Sequence, residues 1–287
     1  MKLGVKAFFD EVTFTVTHVV MDPSSNICAI IDPVLDFDQA SGQTSTGSAD
    51  RVLEFIDSNG LELSWILETH VHADHLSAAA YIKSKIGGRT GTGRFITGIQ
   101  ATFKDVFKLG EEFVPNGDQF DCLFDEGDLL ELGSMNIKVM HTPGHTPSCV
   151  TFVAGDAAFV GDTLFMPDYG TARTDFPGGD AAVLYRSIRR ILALPALTRL
   201  FLCHDYKAPG REIYQWETTV EEQRNSNIHI HDGIDEQAFV EFRNQRDSQL
   251  GMPKLIIPSI QVNIRAGEMP PTDESGVVFL KLPINVL

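Results

Sequence analysis

The feature that most constrains this 287-residue chain is the run Thr69-His-Val-His-Ala-Asp-His75. It follows the apolar segment LSWIL (63–67) with only Glu68 between, so three imidazoles and a carboxylate leave the end of a predicted strand together. A strand end followed by a loop is where α/β folds fan reactive side chains into one cavity. A chance polar run capping a helix, with Asp74 as the cap, accounts for one histidine but not for three of the chain's nine within six residues. Imidazole and carboxylate donors in that mixture suit a divalent first-row transition metal.

Further donors occur in matching contexts. His145 follows the predicted strand IKVM in HTPGHT, Asp162 ends the strand AAFV, and His204 ends the strand RLFLC. Each candidate ligand (His70, His72, Asp74, His75, His145, Asp162 and His204) thus emerges from a strand terminus, as a site along one rim of packed sheets requires. The other histidines fit blander roles. His18 lies inside a predicted strand, His141 shares the HTPGHT turn, and His229 and His231 alternate in IHIHD with no acidic partner nearby.

Around this core the pattern predicts a β-hairpin from FTVTHVV (14–20) and NICAIID (26–32), joined by the turn residues MDPSS. The polar stretch 34–50 reads as a long loop, and Ser48 reads as the cap of a helix over 49–59 ended by Gly60. Helices follow over 77–86, around 100–109, and over 180–194, 218–225 and 235–247. Short strands are expected near 94–98, 121–124, 128–132 and 137–141, then a hairpin over 150–162 and a strand over 199–205. The remainder after 247 reads as a polar, proline-containing tail. No linker cuts the chain, so a single unit over 1–287 is expected, with a core of about 10–227 and an extension, 228–287, packed on it.

Composition excludes several classes. With 39 Asp and Glu against 23 Lys and Arg the formal net charge is -16, a poor match for a nucleic-acid partner. No apolar stretch is long enough for a membrane span, and the N-terminus lacks the pattern of a secretory signal, so a cytoplasmic location is expected. Cys28, Cys122, Cys149 and Cys203 lie far apart in bland surroundings and read as buried thiols, not as a disulfide frame.

At these residues the sequence resembles the metallo-β-lactamase superfamily, whose mark is T-H-x-H-x-D-H followed by later His, Asp and His ligands. The match in order and spacing runs over roughly residues 10 to 210. It implies an α/β (α+β) four-layer αββα sandwich with the metal at one edge of two sheets. Two glutathione-linked branches come nearest: persulfide dioxygenase and hydroxyacylglutathione hydrolase. Arg173-Thr-Asp-Phe176, His204-Asp-Tyr206 and Thr219-Val-Glu-Glu-Gln-Arg224 are similar to segments of the dioxygenase. That resemblance implies one Fe(II) per chain on His70, His145 and Asp162 as the catalytic set, glutathione persulfide and O2 as substrates, and Arg173 and Tyr206 as binders of the carrier. Related enzymes are often dimers or tetramers. The hydrolase alternative uses one or two Zn(II), with His70, His72 and His145 on one ion, Asp74, His75 and His204 on the other, and Asp162 bridging. Residues 228–287 carry only Arg243, Arg246, Lys254, Arg265 and Lys281, which in sequence form no cluster. The chain departs from the dioxygenase pattern at Gly170-Thr-Ala172, in the long stretch 34–50, and in the insertion 207–217. All three lie toward the substrate side.

Overall fold

The computed structural model describes residues 2–286, so the two end residues of the expected 1–287 unit lie outside the described residues. The first half of the chain runs β1 (Gly4–Asp10), β2 (Thr15–Met21), β3 (Ile27–Ile31), β4 (Val34–Asp38), β5 (Gln43–Ser45), α1 (Gly47–Ser58), β6 (Glu62–Leu67), β7 (Leu76–Ser77), α2 (Ala79–Ile86), β8 (Arg89–Gly93), α3 (Ile96–Val106) and β9 (Cys122–Phe124). Next come β10 (Leu129–Leu132), β11 (Met135–His141), β12 (Val150–Ala154), β13 (Ala157–Phe159), α4 (Ala181–Ile191), β14 (Arg199–Phe201), β15 (Glu217–Thr219) and α5 (Val220–Ser226). Two helices close the chain, α6 (Glu236–Asp247) and α7 (Ile256–Asn263).

Twelve of the strands form two six-stranded sheets, ordered β1-β2-β3-β6-β8-β9 and β10-β11-β12-β13-β14-β15, and β5-β4-β7 form a third, small sheet. In β3, Ala29 and Ile31 face the second sheet while Cys28 and Ile30 face helices, so both sides of the strand are covered. This two-sided burial is why NICAII is apolar without alternation. Trp65, Leu67, Phe124, Val139, Phe152, Phe159 and Phe201 fill the layer between the sheets. Helices α1 and α2 cover the first sheet with Val52, Ile56 and Ile82, and α4 covers the second with Leu184, Ile188 and Ile191. The result is the expected αββα sandwich. Phe152, fully buried between the sheets, carries a stability prediction. Phe152→Ala is expected to cost about 3–5 kcal/mol in denaturant unfolding, as large-to-small core changes do. A loss under about 1 kcal/mol would show that this layer is not the principal core.

Several local expectations are corrected. β1, which the sequence reading omits, pairs with β2 along its whole length. The stretch 34–50 is not a loop: β4 and β5 pair as a hairpin, and β4 also pairs with β7 beside the histidine run. Ser48 does not cap α1 with its side chain but lies in its first turn, where its N–H donates to Asp36 Oδ2 at 3.0 Å. The expected strand at 94–98 is displaced to β8, because Ile96 already begins α3. The tail contains α7, whose Ile256, Ile260 and Val262 are buried. Among the described residues no helix is long and apolar enough to cross a membrane. Cys28, Cys149 and Cys203 are buried and Cys122 half-buried, all with free thiols. Burial pushes the Cys28 and Cys149 thiols up to about 12.

Candidate metal centre

The rim is built from strand ends, as the spacing predicts. β6 delivers the run 68–75, β11 leads to His145, β13 to Asp162 and β14 to His204. The two sheets are tied together there by Val150 N–H to Thr69 O at 2.9 Å and by Val16 N–H to Cys203 O at 2.7 Å.

Seven side chains converge. His70 Nε2 lies 3.9 Å and His145 Nε2 3.8 Å from Asp162 Oδ2, while His204 Nε2 lies 3.2 Å from Asp74 Oδ2 and 3.4 Å from Asp162 Oδ1. Two sets of donor atoms are each compact enough for one cation, His70, His145 and Asp162 in one and His72, Asp74, His75 and His204 in the other, and they overlap with two smaller groups, Asp32, His72 and Cys203, and Asp162, Cys203 and His204. Asp162 therefore faces both sets, one oxygen to each.

Each ring has one nitrogen anchored by the protein. His70 Nδ1 meets Thr69 Oγ1 at 3.0 Å, and His145 Nδ1 donates to Arg173 O at 2.8 Å. His204 Nδ1 lies 3.2 Å from Phe14 O, and His75 Nδ1 lies 3.3 Å from Thr15 Oγ1. His72 Nε2 lies 3.0 Å from Asp32 Oδ1 and 3.4 Å from Glu68 Oε2. The opposite nitrogens of His70, His72, His75 and His204, together with Asp162 Oδ1, are buried and have no hydrogen-bond partner. Orphaned buried polar atoms are costly, and five in one pocket fit a bound cation. Burial, reinforced by neighbouring imidazoles, holds His70 well below the ordinary histidine range and also lowers His75, leaving lone pairs free to ligate. Burial also disfavours charge on His72, yet Asp32 and Glu68 outweigh it and raise that ring well above the ordinary range.

Four supporting residues escaped the sequence reading. Asp32, at the end of β3, accepts from Thr69 N–H at 2.7 Å and Thr69 Oγ1 at 2.8 Å as well as pairing His72. Its position, the first polar residue after an apolar strand, was a usable signal. Thr15 touches both His75 and His204. Glu68 is buried beside His72 and also accepts from the Ser77 hydroxyl. Asn263 arrives from α7, and nothing in its local sequence marks it.

The centre opens into a cavity of about 1190 Å³. Residues of the hairpin β4–β5 and residues from 228–255 contribute to its lining. Arg173 lines it, but its fork is engaged by Asp175 and by Gly251 O at 2.7 Å. Tyr206 also lines it and stacks on His204 with ring centroids 5.5 Å apart. Arg243, Arg246 and Lys254, which form no cluster in sequence, all line this cavity. Arg243 is buried against Asp247, whereas Arg246 and Lys254 are exposed and form no ion pair among the described residues. His229 lines it too, with Nδ1 accepting from Thr171 N–H at 3.0 Å. That bond places the neutral ring's proton on Nε2, and burial holds the ring down to about 4. His18 and His141 keep structural roles, bonded to Leu202 O at 3.0 Å and Pro147 O at 2.9 Å.

Residues 14–204 match the family model of the metallo-beta-lactamase superfamily. The chain belongs to that superfamily. Among its relatives in this superfamily, a probable metallo-hydrolase of Burkholderia pseudomallei is 50% identical, covering 99% of this chain and 100% of that protein. A beta-lactamase hydrolase-like protein of Agrobacterium fabrum is also 50% identical over 99% of this chain, which spans only 65% of that relative's length. The human mitochondrial persulfide dioxygenase ETHE1 is 30% identical, covering 93% of this chain and 90% of that one. In structure, the ETHE1 of Myxococcus xanthus superposes with a TM-score of 0.72 at 27% identity, over 92% of this chain and 100% of the other. Superfamily membership and the histidine–aspartate cluster together support a metal cofactor in an enzyme of this class.

Proposed function

We propose that the protein is a persulfide dioxygenase, converting glutathione persulfide, O2 and water to glutathione, sulfite and protons. The observation that carries this reading is that His70, His145 and Asp162 lie close enough together to share one cation, a group of two histidines and one carboxylate. Two histidines and one carboxylate on one face are the donor set of non-haem iron oxygenases, and Fe(II) there would supply open positions for sulfur and O2. The structural likeness to the Myxococcus ETHE1 supports the same assignment.

The chain's own residues then divide the work. His145 is oriented by the Arg173 carbonyl and His70 by Thr69. Arg246 and Lys254, cations on a chain of net charge -16, draw the carrier's carboxylates to the cavity mouth. Arg173 shapes the wall, its guanidinium already committed to Asp175. On this division Arg246→Ala is expected to raise KM about tenfold with kcat nearly unchanged, as loss of uniform binding does. Steady-state kinetics with an unaltered KM would remove Arg246 from the binding site. Arg173→Ala is expected to raise KM less than Arg246→Ala does.

One observation favours a second reading, a dinuclear zinc hydrolase of glutathione thioesters: Asp162 presents Oδ2 to His70 and His145 but Oδ1 to His204, as a bridging carboxylate would. The hydrolase names of the 50%-identical relatives point the same way. Oxygen uptake with glutathione persulfide on iron-loaded protein, run beside lactoylglutathione hydrolysis on zinc-loaded protein, separates the two. Persulfide-dependent uptake is the expected result; thioester turnover without it would reverse the choice.

A further inference from the structure

The loop carrying the ligands is nearly without backbone support of its own. Among the described residues, the backbone of His70–His75 makes two hydrogen bonds, and both go to one side chain. Asn263, 5% exposed at the end of α7, donates through Nδ2 to His72 O at 2.9 Å and to His75 O at 2.8 Å. Its Oδ1 accepts Ser77 N–H at 2.8 Å, where β7 begins to leave the loop. Two carbonyls can only accept and one backbone N–H can only donate, so the orientation of this amide is fixed by its partners.

We infer that Asn263 is a positioning residue of the metal centre, and that α7 is part of the metal-binding apparatus. Fixing the carbonyls of residues 72 and 75 fixes the 72–73 and 75–76 peptide planes, which bracket the segment Ala73–His75. It thereby sets the directions in which His72, Asp74 and His75 leave the backbone. The helix is well placed to act as a fixed post. Gln100 Nε2 holds Ile264 O at 2.9 Å, and Ile260 and Ile264 pack in one buried cluster with Val71 of the loop itself. Just beyond the helix, Gly267, at φ +85°, runs so close to Ser77 O that a Cβ there would lie 2.8 Å from it. A ligand set held about 1 Å too loosely binds metal poorly even when every ligand is present. The inference rests on the assignment of these residues as a metal centre, not on the reaction proposed for it.

The test is a Zn(II) titration of the metal-free full-length protein, with the Co(II) absorption spectrum as a second readout. Asn263→Asp keeps the size and the acceptor for Ser77 but loses both donors. It is expected to weaken metal affinity by roughly 10–100-fold, the range for groups that orient ligands, and to shift the Co(II) bands. Gln100→Ala, which frees Ile264 O without touching the loop, is expected to lower thermal stability while leaving affinity within about twofold. If Asn263→Asp does not fold, Asn263→Ser is read in the same way. Native affinity and an unshifted Co(II) spectrum in a folded Asn263 variant would overturn the inference. An equal loss of affinity in Gln100→Ala would also overturn it, since general loosening would then be the cause. Neither readout uses turnover, so a failure of the proposed reaction is told apart from a failure here.

Discussion

His145→Ala is expected to leave a folded protein whose metal content and turnover both collapse, with kcat/KM down by at least about 100-fold. His145 sits on the loop after β11 and lines the cavity, so its removal leaves no hole in the layer between the sheets. What it removes is one of three donors around Asp162, at 3.8 Å from Oδ2. The effect should exceed the 10–100-fold typical of groups that merely orient ligands, because a ligand itself is lost. Elemental analysis beside steady-state kinetics checks it. A variant with full metal content and native rate would mean that the set His70, His145 and Asp162 is not the working site.

Asp32→Ala should strike stability and metal binding together. Asp32 is 1% exposed and gathers three hydrogen bonds, two from Thr69 and one with His72. Its backbone is left-handed at φ +52°, a conformation that aspartate adopts more readily than alanine. Truncation leaves the Thr69 N–H buried without a partner and leaves His72 Nε2 with only Glu68 Oε2, 3.4 Å away. An unpartnered buried group costs about 1–3 kcal/mol and breaking a buried ion pair about 3–5 kcal/mol, so a loss on the order of 3–5 kcal/mol is expected for the metal-free protein. Metal affinity should fall a further 10–100-fold or so as His72 loses its orientation. Urea unfolding of the metal-free form measures the first effect and Zn(II) titration the second. A stability loss with unaltered affinity would make Asp32 a purely structural residue.

Much of the centre was legible because its chemistry is local. Three imidazoles in six residues after a buried strand have few other uses, and His145, Asp162 and His204 each come just after a predicted strand. The sheets were legible for the same reason: strands buried on both faces, such as NICAII, read as continuous apolar runs. Expectations slipped where the signal was weak or non-local. β8, with the sequence RTGTG, is strand only because β6 and β9 flank it; its glycines carry no strand preference. The hairpin β4–β5 looked like a loop because its exposed half is polar and small. Arg246 and Lys254 looked scattered because they come to line one cavity only after α6 and the turn that follows it have folded.

The sequence by itself therefore determined which atoms can hold a metal and which strands bring them to one rim, since both follow from residue type and short-range periodicity. Only the tertiary structure decided how those atoms divide. Asp162 is placed between two sets, the His72 ring lies between those of His70 and His75, and Asn263 holds the loop from nearly two hundred residues away. The physical reason is that a hydrogen bond or ligand contact acts over a few ångströms of space and is blind to separation along the chain.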